Sequence, residues 1–401
     1  MNDFTLATFN VKNLIRAEKE YYRFQTYTQE EHAWKKDWLA DQLLTLNADV
    51  VCFQEVFDEE ALREVVLETN RRGHDLNAAA IPDSSKRYHR KAIFKRLKFE
   101  PYPIENIAFA PNVFDGEPGH RRPGLAILSR HGFVGDVAVT QELETPLVIE
   151  FPEVGGAGDS GTFTLTRTSR PVQRAMIRMG DQTVSVINLH LKSKLGEYLR
   201  PDGAPFAPEA DLTRYDPIGR AMGEARAAMR RMGEALVVRG IVLDELDQDR
   251  PTIVTGDFND GENAVSTAII AGERPFKNYS WMLRHDASHP NDRYTKEENI
   301  QISTDVNRVR LHSAESVFVR KSLRDMVYTS AFGGVYESID QIFLSRHFDS
   351  DFDGAIADLE YLSVLNDHLT DGAHPEAPYN KLASDHGQLL AHFRMAGDET
   401  D

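Results

Sequence analysis

Short runs of apolar and β-branched residues recur along the chain, and each run stops at a small group of polar residues. Runs of this length between turn-forming residues are typical of buried β-strands. The pattern predicts strands over Phe4–Phe9, Ala48–Phe53, Leu125–Leu128, Thr183–Ile187, Thr252–Thr255, Ile339–Leu344 and Gln388–Phe393.

Longer stretches between these runs have helical character. Tryptophans and leucines recur at helical spacing in His32–Leu46, and Glu59–Thr69 repeats the pattern after the second strand. Pro217–Gly240 is rich in Ala, Arg, Glu and Met, and its proline suits a first-turn position. Many strands follow each other through short links, which favours two packed sheets with outer helices over a purely parallel array.

The pattern therefore predicts an α/β (α+β) fold in a single domain over residues 1–396. We expect insertions near 71–120, 150–170 and 193–217, and an acidic tail over 397–401. The stretches Glu150–Ser169 and Ser193–Pro217 contain glycine and proline and are predicted to be loops that set access to a substrate.

Polar side chains at the ends of the predicted strands are of the types that bind metal ions and phosphate. Residues two apart on a strand face the same way, so Asn188 with His190, and Asp257 with Asn259, would each point to one side. Carboxylates with an asparagine oxygen and no thiolate suit Mg²⁺ or Mn²⁺. If the strand ends meet in one cleft, the set contains the parts for metal-assisted phosphoester hydrolysis. Its members are Asn10, Glu55, His190, Asp257, Asn259, Asp340, Asp385 and His386.

The blocks that carry these residues occur in the order ATFNVKNL, CFQEV, GLAILS, VINLHLKS, VTGDFND, SIDQIFLS and ASDHGQ. This ordered set, from Phe4 to about Phe393, resembles the endonuclease/exonuclease/phosphatase superfamily, whose fold is that of DNase I. Single blocks such as GDFN would be weak signals, since each residue alone also fits a turn, a strand end or a core histidine. The resemblance implies a four-layer α/β/β/α sandwich of two packed mixed sheets with outer helices.

The resemblance also implies roles for these residues and a divalent ion, Mg²⁺ or Mn²⁺, as cofactor. An imidazolium beside the phosphate would stabilise the charge that builds up in the transition state. The general base stays open, because a metal-bound hydroxide could itself attack. The implied metal ligands are Glu55 first, with Asn10 and Asp385 close to the ion. The implied catalytic residues are His190 on the scissile phosphate, Asp257 and Asn259 on the attacking water and phosphate, and Asp340 paired with His386.

Resemblance of this kind fixes the chemistry better than the substrate, since members cut DNA, RNA, phosphoinositides and sphingomyelin. GDFNDGEN and YESIDQIFLS differ from the blocks usual in inositol polyphosphate 5-phosphatases, and His190 stands where abasic-site endonucleases usually have tyrosine. We therefore expect a metal-dependent phosphodiester hydrolase, a nuclease acting on DNA or RNA by in-line attack of an activated water. The alternatives are a phosphatase or phosphodiesterase on a lipid headgroup or small ester, and a non-catalytic phosphate-binding member.

Charge narrows the choice of partner. The 401 residues include 46 Lys and Arg against 63 Asp and Glu, a net charge of −17, which argues against nonspecific coating of DNA. Basic residues are concentrated in Ser84–Phe99, where they could contact a phosphate backbone or form a solvated helix face. The predicted substrate-binding residues are Lys91, Lys95 and Arg96 in this segment, with Arg121, Arg122 and Lys192 elsewhere.

The remaining sequence features exclude several classes of protein. Cys52 is the only cysteine, so no intrachain disulfide and no cysteine-based zinc site can form. The first residues, MNDFTLATFN, lack the basic and apolar regions of a signal peptide, and no run of 18 apolar residues occurs. We therefore expect a cytoplasmic protein without a transmembrane segment, with nucleic acid as substrate and an oligomeric state that the sequence leaves open.

Overall fold

Alternation of apolar residues along the strands builds two sheets whose inner faces pack on each other. In the computed structural model, residues 3–78, 98–114, 117–118, 121–150, 162–196, 217–272, 279–284, 292–321, 327–370 and 382–396 are described. The first sheet has the strand order β15-β16-β1-β2-β6-β3 and the second β11-β14-β10-β9-β8-β7. The strands are β1 Asp3–Leu14, β2 Val50–Val56, β3 Ile107–Ala110, β4 Val113–Phe114, β5 Glu117–Pro118, β6 Gly124–Ser129, β7 Ala138–Glu150, β8 Thr162–Met179, β9 Gln182–His190, β10 Thr252–Asp257, β11 His312–Ser313, β12 Ser330–Phe332, β13 Val335–Glu337, β14 Asp340–Leu344, β15 Ala357–Leu365 and β16 Gln388–Met395.

Both sheets are mixed. In the first, β1 runs parallel to β2 and antiparallel to β16, and in the second β10 runs parallel to β9 and antiparallel to β14. Two short hairpins, β4–β5 and β12–β13, stand outside the sheets. The central strands of both sheets therefore bring their carboxyl ends to neighbouring positions, which is where the polar blocks of the sequence lie.

Six α-helices flank the two sheets in the described part of the chain. They are α1 Gln29–Leu46, α2 Glu59–Ala78, α3 Pro217–Asp247, α4 Val265–Ala271, α5 Lys296–Val309 and α6 Ala314–Lys321. Helix α1 begins with a capping box, in which the Thr28 hydroxyl accepts from the Glu31 amide and the Glu31 carboxylate accepts from the Thr28 amide. No helix in the described part of the chain is long and apolar enough to span a bilayer.

Three apolar clusters separate the four layers. Phe4, Leu6 and Cys52 of the first sheet pack on Val186 and Ile253 of the second, and this cluster forms the centre of the sandwich. The outer face of the first sheet packs on α1 and α2, for example through leucines of both helices. The outer face of the second sheet packs on α3 and α4. The predicted four-layer sandwich of two mixed sheets with outer helices is confirmed.

One predicted loop differs in part from the structure. The stretch Glu150–Ser169 is not a loop throughout, because Thr162–Ser169 forms the start of the long strand β8, in which Leu165 and Thr168 are buried. Within the expected insertion near 71–120, α2 continues to Ala78, and β3 pairs with β6 as the edge of the first sheet. Residues 151–161 and 197–216 and the acidic tail lie outside the described residues.

Candidate active site

The interior between the sheets changes from apolar to polar toward one end. Beyond the apolar layer lie the buried side chains of Thr8, Gln54, Asn188 and Thr255. Gln54 Nε2 donates to Asn188 Oδ1 across the two sheets at 2.7 Å, and Asn188 Nδ2 donates to two carbonyl oxygens of the first sheet. Because each buried amide is satisfied, this layer fixes the sheets against each other directly beneath the next layer of polar residues.

Three residues of that next layer come from neighbouring strands of the second sheet. Asp257 is in register with His190 on β9 and with Asp340 on β14, so their side chains share the face turned toward the first sheet. Gly256 directly precedes Asp257 and has a φ of +139°. A Cβ at this position would lie 2.0 Å from Leu189 O. The close approach of β9 and β10 therefore requires glycine at this position.

Asp257 is the centre of the cluster. Its Oδ2 accepts from Asn10 Nδ2 of the first sheet at 3.0 Å and lies 3.2 Å from His190 Nε2. Its Oδ1 accepts from the backbone amide of Asn259 at 2.8 Å. Burial, opposed by the charge of His386 and assisted by that of Asp340, raises the pKa of Asp257 to about 7. This carboxyl group therefore exchanges a proton near neutral pH.

His386 is held as a cation. Its Nδ1 lies 2.9 Å from Asp340 Oδ2, and its Nε2 lies 3.8 Å from Asp257 Oδ2. Burial alone would lower the pKa of His386, but the carboxylates of Asp340 and Asp257 outweigh it and raise that pKa well above the ordinary value. The Nδ1–H group donates a hydrogen bond to Asp340 Oδ2, so the Nε2–H group lies on the side of the ring that faces Asp257 and the cleft.

His190 is the opposite case. Burial and the positive charges of Arg170 and His386 lower the pKa of His190 far below its ordinary value, so the ring is neutral. Its Nε2 is the atom near Asp257, while Nδ1 is buried with no hydrogen-bond partner among the described residues. Two histidines on one carboxylate therefore have different charges, the arrangement expected of groups with different tasks.

Glu55 lies where strand β2 departs from regular alternation. The pairing of β2 with both neighbours shifts register at this residue, and Glu55 has a left-handed φ of +62°. Asn13, also left-handed at φ +56°, donates its amide to Glu55 Oε2 at 3.0 Å. A non-glycine residue in this region marks a strained position that is common at functional sites. Burial and the charge of Asp385 raise the pKa of Glu55.

Asp385 and His386 belong to a segment that crosses the mouth of the cleft. Ser384 Oγ donates to Asn10 O at 2.6 Å and accepts from the His386 amide, which fastens the segment to β1. Asp385 is half-exposed, with its Oδ2 3.4 Å from Lys12 Nζ. Burial opposes ionisation of Asp385, but His386 and Lys12 outweigh it and lower its pKa.

The residues present fit a divalent ion. Acidic side chains are gathered around a cleft that has imidazole and amide groups but no thiolate, as hard cations require. Burial and the charge of Asp385 outweigh the charges of His386 and Arg170, so the pKa of Glu55 is raised, and a bound cation would favour its ionised form. Ligand atoms of Asp257, Asp340 and His386 also lie within 4.8 Å of one another. Asp340 and His386 already bond each other. Of the predicted metal ligands, Glu55 and Asn10 Oδ1 each accept a hydrogen bond from a backbone amide, and Asp385 lies beside Lys12.

Sequence reasoning missed two residues of the site. Arg170 of β8 donates to Leu191 O at 3.2 Å, and its charge acts on Glu55, His190 and Tyr22. Burial raises the pKa of the Tyr22 hydroxyl to about 12, although the hydrogen bond from Arg170 opposes this. Arg170 directly follows the predicted loop Glu150–Ser169, and it lies beside the cleft because it belongs to β8, which the sequence pattern did not predict.

The structure describes three of the six predicted substrate-binding residues. Arg121 and Arg122 precede Gly124, which pairs with Val56 next to Glu55. The ammonium group of Lys192 donates to the carbonyl oxygens of Ser193 and Leu195 in its own loop. Lys91, Lys95 and Arg96 lie outside the described residues.

Comparison with known proteins gives a family. A model described as the Endonuclease/Exonuclease/phosphatase family matches residues 7–386. No curated protein matches the sequence significantly.

Solved structures of similar chains include family proteins from two Bacteroides species. The one from Bacteroides thetaiotaomicron has 12% identity and a TM-score of 0.48, with 98% of this chain and 98% of that chain covered. The one from Bacteroides vulgatus has 12% identity and a TM-score of 0.47, with 98% and 100% covered. Truncated Caenorhabditis elegans TDP2 has 13% identity and a TM-score of 0.42, with 98% and 97% covered.

Proposed function

Because the chain belongs to the Endonuclease/Exonuclease/phosphatase family, we propose that it is a divalent-metal-dependent phosphodiester hydrolase, a nuclease that cleaves DNA or RNA. One observation carries the proposal. Asp257 lies within hydrogen-bond distance of a neutral histidine, His190, and close to a cationic one, His386, at the meeting point of both sheets. A base near neutrality and a fixed cation are the two protein groups that in-line hydrolysis of a phosphodiester needs.

The side chains divide the chemistry as follows. The oxygen of a water molecule bonds to phosphorus while the P–O3′ bond breaks, and Asp257 accepts the proton that the water loses. Asn259, whose Nδ2 donates to Leu191 O, holds the Asp257 carboxylate through its backbone amide. The Nε2 proton of His386 and the charge of Arg170 stabilise the negative charge that accumulates on the non-bridging oxygens. The leaving O3′ takes a proton from solvent.

A divalent ion would be held by Glu55, with Asp385 and Asn10 beside it. When bound, it would neutralise charge on the phosphate and orient the diester. Asn13 keeps the Glu55 carboxylate in place through its backbone amide, and Lys12 does the same for Asp385 through its ammonium group.

Exposed aromatic side chains around the cleft favour a nucleic acid over a small ester. The hairpin β12–β13 rises from Thr329, whose hydroxyl accepts from the Asp340 amide and whose carbonyl accepts from Gly387. Near its tip, Phe332 is 71% exposed and Tyr336 is 53% exposed. At strand spacing, Phe332 stands about 10 Å along the chain from Thr329.

A second group of exposed aromatic side chains is paired with arginines. The guanidinium of Arg121 lies over the ring of Phe24 at 4.0 Å, and that of Arg122 over Phe114 at 3.6 Å. Phe24 is itself exposed, and it follows Tyr22, which contacts Arg170. Arginine beside an exposed ring offers both a charge for phosphate and a face for a base.

Replacing Phe332 by alanine is expected to weaken cleavage of single-stranded DNA or RNA while leaving hydrolysis of bis(p-nitrophenyl) phosphate unchanged. Stacking of a base on an aromatic ring contributes about 1–3 kcal/mol, so kcat/KM on the polymer should fall at least about fivefold. Steady-state kinetics on both substrates measure this, with Leu67→Ala on α2 as a control for loss of an exposed apolar side chain. An equal fall on both substrates would contradict a binding role for the hairpin.

Removal of divalent ions is expected to abolish activity. The wild-type protein is tested after EDTA treatment and dialysis, on plasmid DNA, single-stranded DNA, RNA, phosphoinositides and bis(p-nitrophenyl) phosphate. Mg²⁺ or Mn²⁺ should restore hydrolysis of the diesters, and nucleic acid should be the best substrate. Turnover that persists in EDTA would contradict the metal dependence, and phosphate release from phosphoinositides alone would contradict the assignment as a nuclease.

A further inference from the structure

The buried face of α1 carries a lysine where the helical pattern calls for an apolar residue. Lys35 lies one turn before Leu39 and two turns before Leu43 on that face, and its side chain is completely buried. Burying an ammonium group is costly, and a methionine or leucine would fill the same space without that cost. Lys35 must therefore contribute something that packing does not.

The contact that Lys35 makes is with the segment that carries the catalytic histidine. Its Nζ donates to Leu382 O at 3.0 Å and lies 5.8 Å from the centre of the Tyr27 ring. Burial and the charge of Lys12 lower the pKa of Lys35 to about 7, although Glu55 opposes this. In either protonation state the amine keeps a hydrogen atom for the Leu382 carbonyl.

A second contact, also supported by α1, holds the other end of the same segment. The ring of His368 packs edge-on against the ring of Trp38, with 5.1 Å between the ring centres. Trp38 lies on α1 one helical turn after Trp34, the residue that precedes Lys35. His368 Nε2 lies 2.9 Å from His386 O. Burial lowers the pKa of His368, so the ring is neutral and this nitrogen is the donor. The segment from Leu382 to His386 is thus bonded to the protein at its first and last carbonyls.

We propose that Lys35 and His368 are positioning residues that hold the segment 382–386 so that His386 meets Asp340 and Asp257 in the cleft. The proposal rests on the function proposed above. The segment lacks regular secondary structure and follows residues 371–381, which lie outside the described part of the chain. Its backbone is therefore placed by side chains, and Lys35 supplies a bond from the rigid helix that packs on the first sheet.

The test compares K35M and H368F with the wild-type protein and with K36M. Methionine fills the volume of Lys35 without its donor, and phenylalanine keeps the ring against Trp38 without the nitrogen. K36M makes the same substitution at the adjacent lysine, which faces away from the segment's carbonyls. At saturating Mg²⁺, we expect kcat on bis(p-nitrophenyl) phosphate to fall about 10–100-fold in K35M and H368F, since displacement by about 1 Å can cost that much. KM should change less than about threefold, and K36M should behave as wild type.

A second readout does not depend on activity. In protein labelled with ¹⁵N-histidine, the ring signals of His386, assigned with H386Q, report the bond to Asp340. They should shift or broaden in K35M and H368F and stay in place in K36M. Unchanged ring signals in both variants, whatever the activity, would overturn the proposal, as would wild-type kcat in both. If K35M does not fold, the kcat and the His386 ring signals of H368F alone test the proposal. If the wild-type protein hydrolyses no phosphoester, the proposed function fails while the ring signals still test the positioning.

Discussion

Asp257→Asn is expected to reduce kcat on a phosphodiester by about 10²–10⁴-fold, the range that loss of a general base costs. The substitution keeps the size of the side chain and removes its ability to take a proton near neutral pH, which the raised pKa of Asp257 gives it. It also puts an amide in place of the carboxylate that accepts from Asn10 Nδ2 and lies 3.2 Å from His190 Nε2. Single-turnover kinetics at saturating Mg²⁺ measure the chemical step directly.

The same variant tests the pKa itself. The folded-state pKa of Asp257 is about 7, above its ordinary value of 3.8, so the folded protein binds this proton more tightly than the unfolded chain. Metal-free wild-type protein should therefore lose free energy of unfolding as the pH rises from 5 to 8, because ionisation of Asp257 destabilises the folded state. Asparagine does not titrate, so metal-free D257N should lose less over the same range. Urea unfolding at pH 5 and pH 8 measures both.

Asp136→Asn, at an exposed aspartate before β7, is the control for both experiments. D257N that kept half of the wild-type kcat would contradict the assignment of Asp257 as the base. Equal pH dependence of unfolding in D257N and the wild type would show that the pKa of Asp257 is not raised.

The sequence was most informative where function and fold use the same residues. Strand β10 ends at Asp257 and β9 ends at His190, so the apolar runs that predicted the strands also placed the polar side chains at neighbouring ends. Paired residues of a sheet share a face, so the pairing of β10 with β9 brings these two side chains together. The sequence predicted both strands and their polar ends, but not that these two strands pair. Asp340 joined them by the same rule, as the first residue of β14.

Features that depend on local departures from regular structure could not be read in this way. Glu55 follows β2 directly, but its orientation depends on the shift of register at this position and on the left-handed backbone of Glu55 and Asn13. Nothing in a pattern of apolar and polar residues indicates such a bulge.

The sequence analysis also did not identify two functionally placed basic residues, Arg170 and Lys35. Arg170 directly follows Glu150–Ser169, a stretch predicted to be a loop, and it acts on the cleft because it lies on β8, a strand that the sequence pattern did not predict. Lys35 interrupts the apolar face of α1, which a helical pattern treats as an ordinary exception. For Lys35 the informative signal was a charge at a position that the surrounding pattern makes buried, and burial of charge is rare unless it serves a purpose.

Glu55→Gln is expected to remove the response of the protein to Mg²⁺. Glutamine keeps the shape of the side chain and an oxygen that can accept from the Asn13 amide, so the left-handed turn at residue 55 need not change. It removes the negative charge on which binding of a divalent ion depends. Since a metal ion contributes several kcal/mol to phosphoester hydrolysis, kcat should fall at least about 10²-fold at Mg²⁺ concentrations that saturate the wild type.

Binding can be measured apart from catalysis. An ion that binds only the folded state raises Tm, so 10 mM Mg²⁺, about ten times a millimolar Kd, should stabilise the wild type and leave E55Q unchanged. Glu60→Gln, which removes a more exposed carboxylate at the start of α2, should respond as the wild type does. Without metal, E55Q should lose less stability than the wild type as the pH rises, because burial and Asp385 raise the pKa of Glu55 and its ionisation destabilises the metal-free fold. An equal rise of Tm with Mg²⁺ in E55Q and the wild type would show that the ion does not depend on Glu55. Asp257, Asp340 and His386 would then be the next ligands to test.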